Sequence, residues 1–448
     1  MTWYRDGLLH FGLGIENTFI PQERPGERAI DEYALTEHYD QWSDDLGLAA
    51  SVGAEFMRWG IPWHAVSPER GRWDWSWTDR VMDRFGELGI RPIVDILHYG
   101  TPLWIDDQFA HPDYPQHVAE YAARAAERYR DVATDYTPVN EPMLHSLFSG
   151  EYAYWPPYRQ GTAGLVEIAT AIAKGFVLTQ RAIADVLGDR ATFVHVDASM
   201  RYAGDIDAPE HWETARRYAH QGFLVEDLVT GKVDDRHPLS SLLRSRGVSP
   251  GLLQWFRDNA VQPDVMGVNY YPRHSTELFE AGVHHGGGFA DPRPTRDDGV
   301  DGLKEMLRGY AERYGAPVML AETCVTDDAE TRIAWMDASV SAVEQLRAEG
   351  TDVVGYTWWP LFDMYEWTYR HSTAPRADHL LSMGLFDLVE TPTSLERVRN
   401  PVAGRFAAHA LRSTRPESVL AEASHGMHPR SPERPTPRAV VRREDGLF

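Results

Sequence analysis

Two glutamates stand out because each ends an apolar run. One closes Thr137-Pro138-Val139-Asn140-Glu141-Pro142, and the other sits in Pro317-Val318-Met319-Leu320-Ala321-Glu322-Thr323. A carboxylate leaving a buried strand is costly unless it is paired or hydrogen-bonded. Two carboxylates brought face to face can cleave a glycosidic bond: one protonates the leaving oxygen and the other attacks the anomeric carbon. The alternative is a pair of solvated loop glutamates, the usual surroundings of that residue.

Neighbouring residue types favour the first reading. Arg58, inside Glu55-Phe56-Met57-Arg58-Trp59-Gly60, could hold a carboxylate ionised, and Tyr271, in Asn269-Tyr270-Tyr271, could hydrogen-bond the same group. The segment from Trp358 to Trp367 places Trp359, Glu366 and Trp367 together, and indole faces beside carboxylates suit a sugar. Other patterns carry less. Gly12-Leu13-Gly14-Ile15-Glu16-Asn17 lacks the third glycine of a dinucleotide loop. His285-Gly286-Gly287-Gly288 has no Gly-x-Ser-x-Gly partner. His98, His195 and Asp197 end strands, but no His-x-His or His-x-x-x-His pair accompanies them, so polar residues at a barrel mouth are expected rather than a metal site.

The elements that must position these residues repeat along the chain. Apolar runs at 8–16, 55–63, 91–100, 134–142, 192–199, 263–271, 317–323 and 353–361 read as buried parallel strands. Helical patterns lie between them. Trp77, Val81, Phe85 and Leu88 share one face, as do Ile333, Met336, Val340, Val343 and Leu346. Ser76 and Asp79 are expected to form a capping box. Eight strand–helix repeats predict an α/β (β/α)8 TIM barrel over 1–412, with a doubly wound sheet as the structural alternative. Strands four and seven lie across such a barrel, so Glu141 and Glu322 would converge at its mouth. Long connections at 200–262, with extra helices, and 272–300, with a mobile loop, are expected. From Ser413 to Phe448 five prolines and mixed charge predict a tail outside the barrel.

Composition bounds the function classes. The chain has 448 residues, 43% hydrophobic and 25% charged, which suits a globular protein with a sizeable core. A net charge of −23 disfavours nucleic acid and anionic membranes as partners. Cys324 is the only cysteine, which excludes an intrachain disulfide. No uninterrupted apolar run approaches a membrane span, the N-terminus does not resemble a secretory signal, and a cytoplasmic location is expected.

From about Phe11 to Leu411 the sequence resembles glycoside hydrolase family 1, the β-glucosidase-like retaining glycosidases. Asn140-Glu141-Pro142 resembles the family's acid/base segment, and Glu322 falls at its nucleophile position. Arg58, Leu97-His98-Tyr99, Asn269-Tyr270-Tyr271, Trp359 with Glu366-Trp367, and Met383-Gly384-Leu385-Phe386 are similar to further family segments. The resemblance implies a retaining β-glycosidase acting on a small glycoside or oligosaccharide, without metal or organic cofactor. Glu141 and Glu322 would be catalytic, with Arg58, Asn140 and Tyr271 in support. His98, Asn269, Trp359, Glu366 and Trp367 would bind the sugar, Asn140 reaching the hydroxyl beside the anomeric carbon. A transglycosidase and a non-catalytic sugar-binding protein remain as alternatives. The departures are Thr323-Cys324 after the nucleophile, Tyr99 in place of Trp, and Glu16-Asn17 where a strand-one glutamine is usual, with Gln22 only a loose counterpart. They point to a divergent glycone such as a deoxy or modified hexose.

Overall fold

The structure, a computed structural model, describes residues 2–204, 208–279 and 293–413. Each of the eight apolar runs contains one barrel strand: β1 (His10–Gly14), β2 (Phe56–Gly60), β3 (Arg91–Asp95), β4 (Asp135–Thr137), β5 (Thr192–Ala198), β6 (Val265–Asn269), β7 (Val318–Glu322) and β8 (Val353–Trp358). Neighbours in sequence pair in parallel and β8 closes on β1, so the sheet is a complete barrel with no edge. The doubly wound alternative is thereby excluded.

The strands form because both of their faces are buried. Inward-facing Phe56, Ile93, Val194, Val265, Met319 and Val354 fill the barrel. Gly12 leaves space for this packing, since a Cβ there would come within 2.1 Å of the Phe56 ring. The N-terminal segment joins the same cluster: the Trp3 indole donates to Asp135 at 2.6 Å and the Tyr4 phenol to Asp264 at 3.0 Å.

Helices cover the outside. In Ser76–Leu88, Val81 and Phe85 are buried and Trp77 and Leu88 are half-buried; in Ala329–Ala348, Met336, Val340, Val343 and Leu346 are buried. The expected capping box at Ser76 does not form. Ser76 is already helical, Asp74 accepts from its backbone N–H at 3.0 Å, and Asp79 instead accepts from Arg128 at 2.6 Å. The helix Gly161–Leu187 is one element that run length did not reveal as apolar. Together with the turn to Arg190 it is long and apolar enough to cross a membrane, because Glu167, Lys174 and Arg181 only interrupt its runs. Its apolar side, including Ile168, Ile172 and Phe176, is buried in the same core as Val118 and Tyr121 of the helix Tyr114–Arg128.

Among its described residues the 200–262 connection carries four helices, Pro209–Gly222, Leu224–Val229, Ser240–Ser245 and Pro250–Asp258. Arg201–Gly204, at its start, pairs with Thr276–Phe279 of the next long connection. The His284–Gly288 stretch of that connection lies outside the described residues, as does the expected tail beyond Ser413. The last described helix, Pro401–Ser413, buries Val402, Ala403, Phe406 and Ala410.

Candidate active site

The mouth of the barrel, at the C-terminal ends of its strands, holds a cavity of about 450 Å³. Glu141, Glu322, Asn269, Tyr271, His98, Glu366 and Trp367 all line it, as do Glu16 and Tyr99. Arg58, Asn140 and Trp359 stand behind these residues and contact them. Every site residue predicted from sequence is therefore in or against one cavity.

The strand ends fix the arrangement. Glu322 is the last residue of β7 and pairs with Asn269 at the end of β6, after a one-residue register shift at Ala321. Glu141 lies beyond β4, tied by its backbone N–H to the Val196 carbonyl of β5 at 3.0 Å. Its φ of 45° is in the left-handed region, unusual for a residue with a side chain, and Pro142 then starts a short helix. Backbone strain of this kind is found where a side chain must be aimed at a site.

Arg58 links the two glutamates. Its Nη1 donates to Glu322 Oε1 at 2.6 Å, and its Nη2 donates to Asp95 Oδ2 at 2.8 Å and to Asn140 Oδ1 at 2.7 Å. Asn269 Nδ2 lies 3.5 Å from the same Asn140 oxygen and donates to Glu141 Oε1 at 2.7 Å. The Tyr271 phenol donates to Glu322 Oε2 at 2.8 Å. Glu322 is thus held at both oxygens, one by a cation and one by a phenol.

Burial dominates the charge states. It raises both Glu141 and Glu322 above the ordinary carboxylate range, and the charge of Glu141 pushes Glu322 up further. Arg58 opposes this at Glu322, and hydrogen bonds from Tyr99 and Asn269 oppose it at Glu141. The guanidinium does not return Glu322 to an ordinary carboxylate value, because burial outweighs it and the charge of Glu141 adds to the upward push. At Asp95 burial pushes up, but Arg58 and His98 outweigh it and hold that carboxyl down. Two buried carboxyls raised together retain a proton near neutrality, and the cation beside Glu322 favours placing it on Glu141.

The glycosyl hydrolase family 1 pattern matches residues 11–374. The chain belongs to that family. It is 24% identical over 399 residues to β-glucosidase A of Thermotoga maritima, covering 81% of this chain and 85% of that one. It is also 25% identical over 401 residues to a bifunctional β-D-glucosidase/β-D-fucosidase of Bifidobacterium breve, covering 75% and 81%. The solved family 1 β-glucosidase of Thermotoga maritima superposes with a TM-score of 0.74 at 17% identity, covering 91% of this chain and 98% of that one. The same enzyme has been solved in complex with glucoimidazole.

Within this family 1 site the departures noted in the sequence are concentrated at the mouth. Tyr99 donates to Glu141 Oε2. Glu16 lies beside His98, its Oε1 3.2 Å from Nε2. Cys324 is buried, and burial followed by the Glu322 charge keeps its thiol protonated. Asp95 was missed in the sequence, although it ends the run Ile93-Val94 in the way Glu322 ends its own. His195 and Asp197 do not join a metal group with His98. His195 is held between Glu226 and Gln180, both at 2.7 Å, and Asp197 is buried with its carboxyl raised by desolvation and then by Glu226. Among the described residues His111, Asp113 and His117 bring possible ligand atoms within 4.8 Å of one another, but none of them lines the cavity.

Proposed function

We propose that this protein is a retaining β-glycosidase that hydrolyses β-linked glycosides of a neutral hexose or modified hexose. The observation that carries the reading is the Arg58–Asn140–Asn269 bridge, which holds Glu322 at one end and Glu141 at the other against a single cavity. Glu322 attacks the anomeric carbon and forms a glycosyl-enzyme as Glu141 protonates the leaving oxygen. Glu141, now a carboxylate, takes a proton from water, and that water releases the sugar from Glu322. Arg58 and Tyr271 orient the nucleophile. The glycone is neutral, because Glu16, Glu322 and Glu366 would face an anionic one, and the His98 cation in the lining is already paired with Glu16. Leu144, Met200, Met364, Leu381 and Met383 also line the cavity and give an aglycone an apolar surface.

The test is a panel of aryl β-glycosides with wild type, Glu322→Ala and Glu141→Ala. Glu322→Ala should lose hydrolysis by at least roughly 10⁴-fold, because the covalent route is removed. Glu141→Ala should lose roughly 10²–10⁴-fold on poor leaving groups and much less on good ones, which depart without protonation. Turnover by Glu322→Ala at the wild-type rate, or an equal loss across the leaving-group series for Glu141→Ala, would overturn the assignment.

A further inference from the structure

A chain of buried ionisable groups crosses the barrel mouth. Glu322 Oε1 is 2.6 Å from Arg58 Nη1, Asp95 Oδ2 is 2.8 Å from Arg58 Nη2 and 3.0 Å from His98 Nδ1, and Glu16 Oε1 is 3.2 Å from His98 Nε2. All five side chains are buried. The order is carboxylate, guanidinium, carboxylate, imidazole, carboxylate. Signs alternate along it only if the imidazole is charged.

The surroundings of His98 decide its charge. Each ring nitrogen faces a carboxylate oxygen, and only the doubly protonated ring has a proton for both. Against this, Asn140 Nδ2 is 3.4 Å from Nε2 and could donate to a neutral ring. Such a bond is long and uncharged, and a neutral ring leaves Arg58 as the one cation of the chain beside the buried carboxyls of Glu16, Asp95 and Glu322. Trp359 adds a second observation. Its ring lies parallel to the imidazole, with centroids 5.6 Å apart and planes 4° from parallel, and the Arg58 guanidinium carbon is 4.8 Å from its ring centroid. An indole face attracts cations. Burial disfavours the charge of His98, but Glu16 and Asp95 outweigh burial and raise it to about 10.

The cation acts on both glutamates of the pair. The titratable groups around it are Asp95 at the end of β3, Glu16 beyond β1, Arg58 in β2, Glu141 beyond β4 and Glu322 in β7, with Tyr99 beside it and His145 on the helix after Glu141. Burial dominates Glu322 and Glu141, but at each of them His98 pushes the carboxyl down more strongly than Glu16 pushes it up.

We propose that His98 is a standing cation and a positioning residue for the glutamate pair: it shares the Asp95 carboxylate with Arg58, and its charge favours the ionised form of Glu322 and Glu141. This rests on the glycosidase reading above.

The first measurement is proton–nitrogen NMR of the intact protein labelled with 15N-histidine. His98, assigned by the signals lost in His98→Gln or His98→Asn, should remain an imidazolium from about pH 5 to about pH 8, the range in which an unperturbed histidine gives up its proton. An assigned His98 that titrates in that range overturns the proposal. Absence of any imidazolium at about pH 8 in the wild type overturns it as well, even if neither variant folds. The second measurement is kcat/KM against pH on 4-nitrophenyl β-D-glucopyranoside. Loss of the cation makes the pair hold its protons more tightly, so both limbs of the His98→Gln profile should move to higher pH by about one unit, the scale of one nearby charge. Protonation of Glu16 in the variant shrinks this shift but keeps its sign, because His98 outweighs Glu16 at both glutamates. A folded variant that loses activity equally at every pH, with both limbs unmoved, confines His98 to packing or substrate contact and overturns the proposal. A wild type that cleaves no aryl β-glycoside overturns the glycosidase reading instead, and the histidine titration, which needs no substrate, still decides the charge of His98.

Discussion

The phenol of Tyr99 donates a hydrogen bond to Glu141 Oε2, while Asn269 occupies Oε1 of the same carboxyl at 2.7 Å. Tyr99 reaches Glu141 because the chain turns sharply after β3. Its φ is 63° and that of Gly100 is 67°, and a Cβ on Gly100 would lie 1.9 Å from the Phe19 carbonyl oxygen. Rings of His145, Trp155 and Trp367, with centroids 4.5, 5.1 and 5.3 Å away, fix the phenol in place. Both donors favour the charged form of Glu141 and offset part of the upward push of burial.

Tyr99→Phe should therefore raise the pKa of Glu141. The basic limb of the activity profile, where the acid loses its proton, should move to higher pH by about one unit, the scale of one hydrogen bond to a charged group. The measurement is kcat/KM against pH on an aryl glycoside. A uniform loss at every pH with the limb unmoved would mean that Tyr99 only packs the site.

Much of this arrangement was legible in the sequence. The eight strands could be read because each is buried on both faces and so appears as a continuous apolar run. Glu141 and Glu322 could be read because a carboxylate at the end of such a run demands a partner. The same reasoning applies to Asp95, but Ile96 and Leu97 continue the apolar run past it and hide the strand end. The Tyr99–Glu141 bond could not be read, because it depends on a left-handed backbone at a residue other than glycine. The Glu16–His98 pair joins residues more than 80 positions apart, and only barrel closure brings β1 and β3 to the same mouth.

Arg58 is buried, and its charge is shared by Glu322 and Asp95. Arg58→Ala removes the cation and leaves two buried carboxylates without it. The expected loss of stability is about 3–5 kcal/mol at neutral pH. The sign of its pH dependence follows from Asp95, whose carboxyl is held below the ordinary range in the folded protein. That stabilisation is present above the unfolded carboxylate pKa and disappears as pH falls through the folded one. Urea denaturation should show the gap between wild type and variant narrowing in acid. A gap that widens as pH falls would refute the pairing.

Cys324 lies two residues past Glu322, buried, with its thiol held protonated by desolvation. A protonated thiol is a poor nucleophile, so Cys324 is expected to take no part in the chemistry. Cys324→Ser should keep activity within about tenfold and cost about 1–3 kcal/mol, as expected for a buried hydroxyl left without a partner. The native thiol should also resist Ellman's reagent until the protein is unfolded. Complete loss of turnover in a folded Cys324→Ser variant would contradict this.

Stereochemistry and pH dependence test the glutamate pair together. If Glu322 attacks carbon directly, no water has to fit between it and the sugar, and the two carboxyls should stand roughly 5–5.5 Å apart in a crystal structure rather than roughly 6.5–9.5 Å. On the proposed mechanism, activity needs one proton in the pair, on Glu141. Both carboxyls are raised by burial, so the second proton is gained, and activity lost, as pH falls through the lower apparent pKa of the pair. The last proton leaves, and activity is lost again, above the ordinary carboxylate range. The profile should therefore be a bell displaced toward neutrality. In the proposed mechanism, formation of the glycosyl-enzyme would remove the charge of Glu322, lower the pKa of Glu141 and free its proton at the moment a base is required. The decisive reading is the first sugar released, followed by proton NMR before mutarotation. A β-glycoside should give the β-sugar through two successive inversions at the anomeric carbon. Release of the α-sugar would require a single inversion by water and would remove Glu322 from the role of nucleophile.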